Sequence, residues 1–585
     1  MTNSNWWMYH GDPAHTGVAN GSGITRANAA QLVQLHDVDI PGPILSVPAI
    51  VDGYVYVGLA NSLDAPAANG GMFLKIDIQA GKIVRRFEWT VPPSEGDSHG
   101  FMGMGCTPAV TKERLYFSAF DGKLYCLSTS DLHLLWVTDL RHGDPAHNQP
   151  LSNLGIAGQP QAAGWSSPLV ADGNVYVGMG EGENAGIFGF VFCLDCKTGN
   201  VNWIYCTCQF KHGVPNKPNM LPPSCVVCQL APPFTAAPKD PPVHGCSVWS
   251  SIAFDERLHR IYCATGNPAP DTPLPSAYYS NGILSLDAAT GDYRGFFQPK
   301  KYTSYRPTDL DVDFAGSPAI FTVDGRRLVA AGCKNGGFFV LDAATLDLLK
   351  WRQLLPRYND GSPIPSVDPH VGPNDDRMDP LVPNRMSDET DQENYSGTYS
   401  TPAIHDDLGR IYIGVGGNNY HNVQAGIDYS TTPFLRAMNW ETLDDAWEMD
   451  NGNPRRYIQS RPPMYQTPGE SGLSSPAIAN DVVFFSTSKI ALYAFDAYNG
   501  RMLWQDELGE QTGGINGGYG YCLGPAIWGD YVVAGALVFG RSGGVLRIYS
   551  LPQAKPPKLG KIGWMAAAIA LGVSAGALYL RNRDK

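Results

Sequence analysis

A short motif governs what this chain can fold into: a small residue, Pro, a small or aliphatic residue, then an aliphatic one. It recurs at Val47-Pro48-Ala49-Ile50, Thr107-Pro108-Ala109-Val110, Ser167-Pro168-Leu169-Val170, Ser317-Pro318-Ala319-Ile320, Thr401-Pro402-Ala403-Ile404, Ser475-Pro476-Ala477-Ile478 and Gly524-Pro525-Ala526-Ile527. An eighth copy, Ser250-Ser251-Ile252-Ala253, lacks the Pro. Each is followed by an alternating strand such as Tyr54-Val55-Tyr56-Val57 or Arg410-Ile411-Tyr412-Ile413. In most copies a second strand then runs into a turn, as in Leu194-Asp195-Cys196-Lys197-Thr198-Gly199. Four copies place a Trp eight residues after the turn-opening residue: Trp136 after Ser128, Trp203 after Asp195, Trp447 after Asn439 and Trp504 after Asp496.

Eight copies of a roughly four-stranded unit, 49 to 84 residues apart, predict an all-β fold, an eight-bladed β-propeller. A lone blade has two apolar faces, and only closing the ring covers both. Pro at a strand entry removes no ladder hydrogen bond, which suits the innermost strand, and Trp on the outer strand packs between blades. The alternating stretch 31–40 precedes the first repeat and is expected to supply the outer strand of the last blade. The chain therefore divides into a propeller over 1–551 closed by that strand, a linker over 552–561, an apolar segment over 562–580 and a basic tail over 581–585.

The net charge of −13 excludes a nucleic-acid partner, since phosphate backbones call for a basic face. Two insertions, 206–245 and 356–398, are rich in Pro and lack periodicity; we read them as covers over the channel mouth. Seven of the 12 cysteines fall between Cys193 and Cys246 (Cys193, Cys196, Cys206, Cys208, Cys225, Cys228 and Cys246). Disulfides in an oxidising compartment, a zinc site and unpaired thiols all fit that pattern, with disulfides preferred. Cys225-Val226-Val227-Cys228 is followed by Gln229, so it is not a haem attachment site.

Residues 562–580 carry no charge and are flanked by Lys555, Lys558, Lys561 and by Arg581, Arg583, Lys585, with Trp564 and Tyr579 near the ends. This predicts a single-pass C-terminal transmembrane helix. The tail charges and the cysteines place the propeller on the periplasmic or exported side. Residues 1–7 show no basic and apolar leader, which weighs the other way.

The residues suited to chemistry cluster between 248 and 342. Trp249 offers an aromatic plane, Asn267 in Thr265-Gly266-Asn267-Pro268-Ala269-Pro270 an amide oxygen, Asp313 in Asp313-Phe314-Ala315-Gly316 a carboxylate, and Lys334 in Lys334-Asn335-Gly336 a cation. They fall at successive strand ends and together suit a flat, anionic, metal-bound redox cofactor.

On these motifs the chain resembles the pyrroloquinoline quinone (PQQ)-dependent alcohol dehydrogenases, over about 6–551. The resemblance implies that Trp249 stacks on the quinone, Lys334 contacts its oxygens, Asn267 ligates Ca²⁺ and Asp313 is the catalytic base and a further metal ligand. A family Glu that also ligates Ca²⁺ corresponds to Glu183 in Gly180-Glu181-Gly182-Glu183. The implied reaction is oxidation of an alcohol to an aldehyde or ketone, with electrons passed to a separate cytochrome c or membrane quinone. Three departures stand out. Gly105-Cys106 replaces the family's adjacent Cys pair, Asp271-Thr272-Pro273-Leu274-Pro275-Ser276 replaces its Arg-Pro-Gly-Asp-Asn run, and Ala315 stands two residues after Asp313, which favours Ca²⁺ over a lanthanide. The pattern is closer to the polyvinyl-alcohol dehydrogenase branch than to the methanol enzymes. The competing reading is a non-catalytic, membrane-anchored propeller that scaffolds protein assembly; it has no use for Trp249, Asp313 and Lys334 together.

Overall fold

Each repeat folds into one antiparallel sheet whose strands follow one another in chain order, because short turns join antiparallel neighbours. The computed structural model describes residues 5–60, 70–91, 102–141, 164–180, 189–207, 246–267, 279–299, 313–334, 336–354, 398–415, 435–447, 474–487, 491–507, 524–536 and 544–552. Among them, blade 1 consists of Ala49–Val51, Tyr54–Leu59, Gly70–Asp77 and Lys82–Thr90. Blade 4 runs Ala253–Asp255, Arg260–Ala264, Ile283–Asp287 and Tyr293–Phe297, and blade 5 runs Ala319–Val323, Arg326–Gly332, Gly337–Asp342 and Leu348–Gln353. Blade 6 shows three strands, Ala403–His405, Arg410–Gly414 and Leu435–Asn439. In blade 8, Val33–Ile40 pairs antiparallel with Gly544–Ser550 as the outer strand, which puts the stretch predicted over 31–40 on that edge. The innermost strand of blade 8, Ala526–Trp528, lies against Ala49–Val51 of blade 1, so the ring closes. Asp-Gly pairs with positive φ at both residues (Asp52-Gly53, Asp172-Gly173 and Asp324-Gly325) make the tight turns after three of the innermost strands.

Neighbouring blades are joined at three radii. Outermost, the predicted Trp residues pack on the turn glycine of the next blade: a Cβ on Gly199, Gly291 or Gly500 would come within 2.6–2.7 Å of Trp136, Trp203 or Trp447. Glycine is therefore required there by space as well as by its positive φ. Trp203 and Trp447 also donate their indole N–H to Ala288 O (3.2 Å) and Ala497 O (3.0 Å). Further in, Tyr116, Tyr176, Tyr262 and Tyr412 donate their hydroxyls to Cys196 O, Ala288 O, Ala343 O and Ala497 O, each on the following blade.

At the channel a circle of hydroxyls links the blades. The residue ahead of the motif's Pro gives its N–H to the hydroxyl of the equivalent residue one blade on: Thr107 to Ser167 (3.0 Å), Ser167 to Ser251 (3.3 Å), Ser251 to Ser317 (2.9 Å), Ser317 to Thr401 (3.0 Å) and Thr401 to Ser475 (3.0 Å). Gly524 and Val47 hold this place in blades 8 and 1 and have no hydroxyl to offer. The circle also corrects the register of the eighth copy. Ser251, not Ser250, stands in the hydroxyl position, Ile252 takes the place of Pro, and the aliphatic place falls to Phe254.

The inner edge of every blade presents N–H groups with no strand beyond them. A strap formed by residues 5–19 supplies partners. Ile50, Val110, Phe254, Ile320, Ile404 and Ile478 donate to Trp6 O, Trp7 O, Pro13 O, Ala14 O, Thr16 O and Gly17 O at 2.7–2.8 Å, which ties six blades to one segment. His10 and His15 are buried in this strap, with His10 Nε2 2.9 Å from Pro476 O and His15 Nδ1 2.9 Å from Pro318 O. Burial holds both imidazoles well below their usual range, His10 at about 4 and His15 at about 3, and the proximity of His10 lowers His15 further.

Among the described residues Cys106, Cys126, Cys193, Cys196 and Cys263 are free thiols, so the preferred disulfide reading does not hold for Cys193 and Cys196, while Cys208, Cys225 and Cys228 lie outside the described residues. Cys193 lies on a strand and is buried in the core between blades 3 and 4, where it packs as a small apolar residue. Among the described residues no helix is long and apolar enough to cross a membrane, and the segment 562–580 lies outside them.

Candidate active site

In an antiparallel blade the entry to the first strand and the exit from the second lie at the same end of the channel. Trp249 precedes the first strand of blade 4 and Asn267 follows its second, while Asp313 and Lys334 hold the same two places in blade 5. Four residues spread over 86 positions of sequence are thus brought to one face by topology alone.

Asp313 is the centre of the group and is 3% exposed. Trp249 donates its indole N–H to Asp313 Oδ2 at 2.8 Å, and the Lys334 ammonium pairs with Oδ1 at 2.8 Å. The backbone N–H of Lys334 donates to Asp313 O at 3.0 Å, which fixes the two residues side by side. Lys334 Nζ also stands 5.1 Å over the Trp249 ring. The buried carboxylate thus faces both a cation and an N–H donor.

Asn267 is 2% exposed, and its carbonyl accepts the Cys246 N–H at 2.8 Å. Its chain neighbour Gly266 lies against the carboxylate: a Cβ there would stand 3.4 Å from Asp313 Oδ2 and 2.6 Å from Ser247 Oγ. The absent side chain leaves a small cradle lined by a carboxylate and by Ser247 Oγ, which is buried with no hydrogen-bond partner among the described residues. Carboxylate and hydroxyl oxygens are hard donors of the kind a calcium ion takes, so the lining of this corner fits that ion by its chemistry. Glu183 lies outside the described residues. Among the described residues no group of three or more His, Cys, Asp or Glu side chains gathers around one point. Asn267 and Asp313 by themselves make an incomplete ligand set.

Two residues escape a reading of the sequence by motif. Ser247, two positions before Trp249, faces the cradle. Tyr399 places its ring 5.5 Å beneath Lys334 Nζ. A signal existed for Tyr399, which stands two residues before Thr401 just as Trp249 stands two before Ser251. Trp165 holds the same place in blade 3 and packs on Phe120 with centroids 4.5 Å apart, beside Gly105. Cys106, at the place of the family's Cys pair, gives its thiol to Ser118 O at 3.2 Å, and burial pushes it up to about 11, so it is a protonated packing group at neutral pH.

Comparison with known proteins gives several likenesses. Residues 152–347, which contain all five predicted site residues, match the family described as glucose/ethanol/alcohol dehydrogenase, beta-propeller domain (PQQ). Residues 432–548 match the family described as outer membrane protein assembly factor BamB. The quinohemoprotein alcohol dehydrogenase of Comamonas testosteroni is 25% identical over 356 residues, covering 57% of this chain and 45% of the relative. The dehydrogenase subunit of the quinone alcohol dehydrogenase of Gluconacetobacter polyoxogenes is 26% identical over 348 residues, covering 55% and 42%. The chain thus spans less than half the length of these curated relatives. The solved structure of the Comamonas enzyme superposes with a TM-score of 0.63 at 19% identity, over 95% of this chain and 82% of that one. A europium-containing methanol dehydrogenase superposes with 0.64 at 15% identity, over 94% and 98%, a likeness of fold.

Proposed function

We propose that this chain, whose propeller is similar to those of the PQQ-dependent alcohol dehydrogenases, oxidises an alcohol to an aldehyde or ketone with PQQ and Ca²⁺. The observation that carries the reading is the Asp313 carboxylate, buried between the Trp249 indole and the Lys334 ammonium. When bound, PQQ with its metal supplies a two-electron acceptor for the hydride of the alcohol carbon. Asn267, Asp313 and Glu183 would hold the ion, with Ser247 Oγ available beside them. Trp249 offers its ring face to the planar cofactor and Lys334 its charge to the cofactor's oxygens.

Asp313 takes the alcohol proton. Oδ2 accepts the Trp249 N–H and Oδ1 pairs with the Lys334 ammonium, and a carboxylate oxygen has a second lone pair with which to meet an incoming hydroxyl. Trp249 and Lys334 fix the carboxylate so that this lone pair is already aimed when the substrate arrives. The small Ala315 two residues after the base favours Ca²⁺ as the ion, and the departures at Cys106 and 271–276 favour the polyvinyl-alcohol branch. Electrons then leave to a separate carrier, a cytochrome c or a membrane quinone. The apolar run 562–580 anchors the chain, with the propeller on the exported side.

Adding PQQ and Ca²⁺ to the purified chain tests this directly. Stoichiometric quinone absorbance together with dye-linked alcohol oxidation is expected; no binding at micromolar quinone would refute it. The match of 432–548 to an assembly factor favours one alternative, a non-catalytic scaffold for protein assembly. That reading predicts a chain indifferent to the quinone.

A further inference from the structure

Lys334 is held by more than its ion pair. Its ammonium stands 5.5 Å over the ring of Tyr399 and 5.1 Å over that of Trp249 while pairing with Asp313 at 2.8 Å. Tyr399 and Trp249 occupy equivalent places in blades 6 and 4, each two residues before its member of the hydroxyl circle. Blade 5, between them, has the small Ala315 at that place, and it is the Lys334 ammonium that lies near both rings. The Trp249 face is the one offered to the cofactor, so Tyr399 is the aromatic surface that remains with the ammonium. Tyr399 also lies outside 152–347, so the match that covers the other site residues does not include it.

We propose that Tyr399 is a positioning residue that holds Lys334 within reach of Asp313 and of the bound cofactor's oxygens through the face of its ring, an inference that rests on the quinoprotein reading above. Tyr399→Phe keeps the ring and Tyr399→Leu removes it. The apo chain, with excess Ca²⁺, is titrated with PQQ and followed by quenching of tryptophan fluorescence. Tyr399→Phe is expected to bind as the parent does, and Tyr399→Leu to bind about two- to thirtyfold more weakly, the range spanned by a cation on an aromatic face. In a Lys334→Met background the Tyr399→Leu change should have no further effect, because its action passes through the ammonium. Should Tyr399→Leu not fold, Tyr399→Met completes the same cycle. Unchanged affinity in the ring-less variant, or the same loss with and without Lys334, would overturn the assignment. A parent chain that binds no quinone refutes the proposed function itself, a result seen before any Tyr399 variant enters.

Discussion

The buried strap histidines make the fold's acid sensitivity calculable. His15 is fully buried, its Nδ1 2.9 Å from Pro318 O and its ring edge-on to Tyr9 with centroids 5.1 Å apart. Burial, with His10 nearby, holds it at about 3, against 6.5 for an exposed imidazole. A folded value below the unfolded one means that stability is whole above about pH 6.5 and is lost as the pH falls toward the folded value. At about pH 4.5 the unfolded chain carries a proton on His15 that the folded chain refuses, over two pH units of difference. That costs roughly 3 kcal/mol. Replacing His15 with Gln keeps a donor for Pro318 O and removes the titration. His10, held at about 4, and Asp12, whose carboxyl burial pushes up and which acts in the opposite sense, are common to both chains and drop out of the difference. Urea unfolding of both chains, followed by ellipticity at about pH 7.5 and about pH 4.5, should show the parent losing roughly 3 kcal/mol more than His15→Gln. Parallel losses in the two chains would refute the reasoning.

Three further outcomes are expected. Asp313→Asn should bind the quinone nearly as the parent does yet turn over at least ~100-fold more slowly in a dye-linked assay, as loss of a general base requires. Under the proposed function, chelation of Ca²⁺ should abolish quinone absorbance in the purified chain, and re-addition should restore it, since the anionic cofactor would be held there through the ion. Asp445 lies between Arg352 (2.9 Å) and Arg436 (3.0 Å), largely buried, so Asp445→Ala should lower stability by about 3–5 kcal/mol, read from unfolding midpoints, while quinone affinity stays put.

What the sequence disclosed follows from which interactions side chains make. The blades were legible because Pro, alternating strands and the Trp on the outer strand all depend on side-chain identity. The strap was not, because residues 5–19 bind mostly through backbone carbonyls that nearly any sequence provides. The hydroxyl circle lay in plain view as the small residue before Pro. Its meaning emerges only when Ser251 is set in register with Ser317 and Thr401, one residue later than the motif alone suggests. Trp249, Asn267, Asp313 and Lys334 were picked out as separate strand-end residues, and Trp249, Asp313 and Lys334 fall into contact. The indole N–H on Asp313 was unforeseen, since a Trp chosen for its flat face gives no hint of where its edge points. Tyr399 went unread for the same reason as Ser251: the register was not carried from one blade to the next.

The strap has a consequence for traffic. Its bonds to Phe254 and Ile320 lie farther along the innermost strands than Trp249 and Asp313 do, so the strap sits deeper in the ring than the site. Under the proposed function, alcohol and electron carrier would reach Asp313 from the side of the ring away from the strap, because the strap side is taken up by a segment that hydrogen-bonds six blades. Loosening the strap would then open a second approach to the site as well as weaken the ring.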